Sequence, residues 1–61
     1  MKKAFINEIV KRDVMLTSED KCKYFNDFKL YCEEMDFTTE EEIKKGAFEY
    51  VTCQIHYGIF R

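Results

Sequence analysis

"FTTEEEIKKGAFEYVTCQIHYGIFR", residues 37–61, decides how the rest of this 61-residue chain is read. Thr38 with Glu41, or Thr39 with Glu42, can form a capping box, and Glu40 adds a third carboxylate to the first turn of a helix. Ile43, Ala47, Phe48, Tyr50, Val51, Ile55, Tyr57 and Ile59 follow at helical spacing. At about 100° per residue they cover an arc of about 200°. A helix apolar over more than half its circumference needs neighbours on two sides.

The stretch before it supplies one of those neighbours. Thr17 and Asp20 have capping-box spacing, with Asp in the place of the usual Glu. Tyr24, Phe25, Phe28, Tyr31, Cys32 and Met35 then recur at three- and four-residue steps over about 120°, an ordinary core-facing stripe. Leu30 stands alone on the opposite side. This second helix is expected to stop near Met35 or Asp36. The connection to the third is so short that the two should form an antiparallel hairpin. Residues 4–12 place Phe5, Ile6, Ile9 and Val10 with helical spacing as a short first helix, and "RDVML" follows as an irregular apolar hinge.

The expected fold is therefore all-α: one domain over residues 1–61, a hairpin of two long helices plus a short N-terminal helix. The excess arc on the third helix predicts an added cover. A symmetric homodimer is the commonest way to supply one. A groove on a larger protein is the second way, and complete wrapping by the first helix and the hinge is the third. The interface residues expected on this ground are Phe48, Val51, Ile55, Tyr57, Ile59 and Phe60, with Arg61 as a basic companion at the end.

Composition narrows the function. Ten basic against twelve acidic side chains give a net charge of −2, which provides no electrostatic footprint for nucleic acid. No apolar run approaches the ~20 residues that span a bilayer. The opening "MKKAFINEIVKRD" is interrupted at Asn7 and Glu8, short of the roughly 7–15 apolar residues of a secretory signal. The cytoplasm, of a cell or of an infected host, is the expected compartment. Cys22, Cys32 and Cys53 are an odd set without close pairs and read as small buried hydrophobes.

Constellations that could carry chemistry are sparse. Cys53 and His56 share a helix face at i, i+3, a spacing compatible with one metal or an activated thiolate. No knuckle of paired ligands accompanies them, and so short a chain has little room for a substrate pocket around them. The runs Glu33, Glu34, Asp36 and Glu40–Glu42 flank the turn; helix-end electrostatics explain the second run, and the first suits contact with a basic patch. No cofactor, metal or catalytic residue is expected. The chain reads as a non-enzymatic interaction protein that occludes or bridges a larger one, in the style of small regulators and phage-encoded inhibitors (an analogy of size alone).

A second reading depends on residues 4–10 forming a strand. The order strand, helix, helix then resembles the ribbon-helix-helix DNA binders, and "TTEEEIKKGAFEYV" is similar to that family's second helix. The resemblance implies a dimeric transcriptional regulator that reads the major groove with strand side chains. The length of the predicted second helix and the negative net charge depart from that pattern.

Overall fold

The computed structural model describes residues 1–60, which form three helices: α1 (Lys2–Lys11), α2 (Ser18–Glu34) and α3 (Glu40–His56). No strand occurs among the described residues. Residues 4–10 lie wholly within α1, so the strand required by the ribbon-helix-helix resemblance is not formed.

Both long helices start where their hydroxyl side chains can replace missing backbone partners. Thr17 caps α2, its hydroxyl oxygen accepting from the Asp20 N–H at 3.1 Å. Thr39 caps α3 in a complete capping box: Thr39 Oγ1 accepts from the Glu42 N–H at 3.2 Å, and Glu42 Oε1 accepts from the Thr39 N–H at 3.1 Å. These backbone and side-chain donations hold the Glu42 carboxyl below the usual carboxylate range.

All three helices end in the same way. Asp13, Asp36 and Gly58 take left-handed backbone angles of φ 58°, 57° and 75°. The residue after each turns its N–H back to a carbonyl five residues earlier: Val14 to Ile9 at 3.0 Å, Phe37 to Cys32 at 3.0 Å and Ile59 to Gln54 at 2.9 Å. Together with Asp13 N–H to Val10, Asp36 N–H to Glu33 and Gly58 N–H to Ile55, these bonds complete three Schellman motifs. The "RDVML" segment is thus a helix terminator that inserts Val14 into the core and leaves Met15 outside.

Contacts between α2 and α3 run in opposite senses along the two helices. Tyr50 meets Asp27 and Tyr24, Tyr31 reaches Glu49, and Cys32 lies beside Gly46. The two helices are therefore antiparallel. Helix α1 lies along α3 in the same direction, its start near Thr38 and Glu40 and its end at Thr52. It, rather than α2, packs most extensively against α3. This accounts for much of the wide apolar arc. Ala47, Tyr50 and Val51 are enclosed with Phe5, Ile9, Val14, Phe28, Cys32 and Phe60.

Aromatic rings dominate this core. Phe5 stacks on Phe28 with centroids 5.6 Å apart, and Tyr50 touches Phe5, Phe28, Tyr31 and Phe60 at 5.6–6.2 Å. Tyr50 brings a polar atom with it, and its hydroxyl donates to Asp27 Oδ2 at 2.7 Å. Burial first, then the hydrogen bond and charge of Asp27, push that hydroxyl's pKa well above the ordinary tyrosine value. Gly46 is buried in mid-helix for a steric reason: a Cβ there would sit 2.8 Å from two ring carbons of Phe37. Met35, expected in the stripe of α2, is its exposed C-cap instead.

Candidate interaction surface

The structure separates the six expected interface residues into two groups. Val51 and Phe60 are 0% and 1% exposed and belong to the core of the single chain. Phe60 reaches it because the reversal at Gly58 folds the chain back. Its N–H donates to the Gln54 carbonyl at 3.1 Å, and its ring meets Tyr24 edge-on at 5.0 Å. Phe48, Ile55, Tyr57 and Ile59 remain 49%, 37%, 74% and 50% exposed. Phe48 and Ile55 are seven residues apart, two helical turns along one stripe of α3, and Ile59 and Tyr57 sit in the cap that ends it. Arg61 lies outside the described residues.

Phe48 is not a bare ring. Arg12, the C-cap of α1, lays its guanidinium 4.5 Å from the Phe48 centroid and donates from an Nη to Thr52 Oγ1 at 2.7 Å. Its Nε lies 3.5 Å from Glu8 Oε2, a buried oxygen with no hydrogen-bond partner of its own. One cation thus spans a carboxylate on α1 and an aromatic face on α3. Cation–π contacts at exposed sites contribute about 0.5–1 kcal/mol. The Glu8–Arg12 pair is legible as an i, i+4 spacing; its extension to Phe48 and Thr52 depends on the α1–α3 approach and has no signal in the sequence.

On the N-terminal side of this latch, a groove of about 640 Å³ runs between α1 and α3. Lys3 and Lys11 line one wall and Lys44 the other, with Ala4 and Ile43 between them and Glu40 at one side. The six carboxylates of Glu33, Glu34, Asp36 and Glu40–Glu42 are exposed around the α2–α3 turn.

The residues that could carry chemistry do not converge. Cys53 and His56 are both exposed on α3, and the His56 ring meets that of Tyr57 edge-on at 5.4 Å. No group of three or more His, Cys, Asp or Glu side chains placed to hold a metal occurs among the described residues. The expectation of three buried cysteines holds for Cys32 alone, whose thiol pKa is raised by burial; Cys22 and Cys53 face solvent. No described helix is long and apolar enough to cross a membrane. Comparison with protein-family models, with curated proteins and with solved structures finds no match to this chain.

Proposed function

We propose that this protein is a small non-enzymatic interaction module that binds a larger protein through the outer face of α3 and acts by occluding or bridging it. One observation carries the reading. After the three helices have closed their core, Phe48, Ile55, Tyr57 and Ile59 still face outward. At roughly 200 Å² per full side chain they expose about 400 Å² in all; Phe48, Ile55 and Ile59 supply about 270 Å² of it, while Tyr57, seven residues beyond the buried Tyr50, leaves the end of α3 on the side opposite Phe48.

The same figure weighs the two covers against each other. A second copy meeting this face symmetrically buries about 540 Å² of apolar area, to which its polar rim adds, against the ~1,200 Å² of total area at which stable interfaces begin. A larger, concave partner can reach beyond the patch to its polar rim on both sides. Aromatic side chains and Arg are the usual anchors of such contacts, and Phe48, Tyr57 and Arg12 are of that type.

The test is site-specific photo-crosslinking from Thr52, which is exposed on the same side of α3. A product of much higher mass is expected, lost when Phe48, Ile55, Tyr57 and Ile59 are all changed to Ser. A product at twice the monomer mass would assign the face to a homodimer. The absence of any product would overturn the reading.

A further inference from the structure

The groove between α1 and α3 carries an electrostatic feature that apolar docking does not explain. Arg12–Glu8 is the only ion pair among the described residues, so Lys3, Lys11, Lys44 and Lys45, like the other lysines, have no carboxylate of the described residues within ion-pair distance. Lys3, Lys11 and Lys44 line the groove, and all four are exposed. Lys44 and Lys45 precede Phe48 by four and three residues, which makes them its neighbours on the helix surface. Lys3, Lys11 and Lys44 thus share the groove with Ala4 and Ile43, and Lys44 and Lys45 flank Phe48 beyond it, while half of the chain's twelve acidic residues sit around the α2–α3 turn.

We propose that the groove, continuing onto Phe48, is the docking site for an acidic amphipathic segment of another protein. Its apolar side chains lie along Ala4, Ile43 and Phe48, and its carboxylates meet Lys3, Lys11, Lys44 and Lys45. This rests on the interaction-module reading and deepens it by fixing the partner's charge. Charge complementarity of this kind sets specificity and association rate more than raw affinity. A nucleic acid is the weaker occupant, because the strip is apolar, Glu8 and Glu40 interrupt the cations, and the chain is net negative.

The test uses the full chain, isotope-labelled for NMR, and two helical peptides of about 12 residues. One places Leu and Phe on one face and Asp and Glu on the other; its twin replaces every acid with Lys. The acidic peptide should shift amide signals in α1 and in the first half of α3. Its dissociation constant should rise about tenfold between ~50 and ~500 mM salt, since such pairs are screened. Lys11→Glu with Lys44→Glu should weaken it by about tenfold, and the Lys twin should bind less well than either. Both lysines are exposed, and Lys3→Gln with Lys45→Gln provides a milder second variant with the same direction of effect.

Equal binding of the two peptides, no binding, or displacement of the acidic peptide by a short DNA duplex would each overturn the proposal. So would shifts confined to residues 55–60 and indifferent to the lysine variants. That last result would leave the apolar α3 face standing as the contact and remove only its acidic partner.

Discussion

Replacing Gly46 with Ala tests whether the hairpin is built around a missing side chain. In an exposed helix interior this change stabilises by about 1 kcal/mol, because Ala restricts the unfolded backbone and suits the helix. Here the new methyl would stand 2.8 Å from Cδ2 and Cε2 of Phe37, closer than carbon atoms pack. The ring is partly exposed, but moving it disturbs its surroundings. Its backbone is tied to the Cys32 carbonyl at 3.0 Å by the α2 terminator, and Tyr31 stands against it edge-on at 6.0 Å. Overpacking of this kind costs about 1–3 kcal/mol. Taking about 2 and subtracting the helix gain leaves a net loss of about 1 kcal/mol, or roughly 4–8 °C in Tm for a domain of this size. Urea unfolding followed by circular dichroism measures it. In a Phe37→Ala background the obstruction is gone, and Gly46→Ala should then stabilise by about 0.5–1 kcal/mol; the sign reversal is the coupling. A single Gly46→Ala protein more stable than its parent would refute the close approach of Phe37 as the reason for glycine.

Two further outcomes follow from the terminators and the core. Asp36→Gly should stabilise by about 0.5–1 kcal/mol in the same assay, because glycine adopts the left-handed angle without strain and the change removes a negative charge from a helix C-terminus. Tyr50→Phe should cost about 0.5–1.5 kcal/mol near neutral pH by removing the hydrogen bond to Asp27, an exposed carboxylate that water then solvates. Because the folded-state pKa of Tyr50 is raised, its contribution is complete below the unfolded value near 10 and is lost as pH rises through the folded value. The alkaline fall in stability should therefore be shallower in the variant, as read from urea midpoints between pH ~8 and ~11.

The starts of the long helices and the end of α2 were legible, the way the helices end less so. Thr17 and Thr39 announce their helices because hydroxyl capping is a local act, decided within four residues. The end of α2 was placed near Met35 or Asp36, where the helix does stop; the left-handed conformation of Asp13 and Asp36 carried no such flag, since glycine is its usual mark and the only glycine in this role among the described residues is Gly58. The direction and reach of α1 were also hidden. A ten-residue amphipathic stretch shows which side is apolar, but not that it will lie along α3 and enclose Ala47 and Val51. For this reason the wide arc of α3 was assigned too many outward-facing residues, Val51 among them. Phe60 was misplaced for a related reason, because only the reversal at Gly58 returns it to Tyr24 and Tyr50. The latch of Arg12 over Phe48 and the lysine-lined groove are products of that same α1–α3 approach, so neither could be drawn from spacing alone.

The three Schellman endings have a kinetic consequence. Each helix contains its own brake, wired through main-chain atoms no more than five residues apart, so an unfinished molecule need not find distant partners before its rods have definite lengths. What is left is the packing of three segments joined by connections of six and five residues. Chains organised by such short-range bonding order themselves in microseconds to milliseconds, which predicts a relaxation too fast for manual mixing and suited to temperature-jump detection.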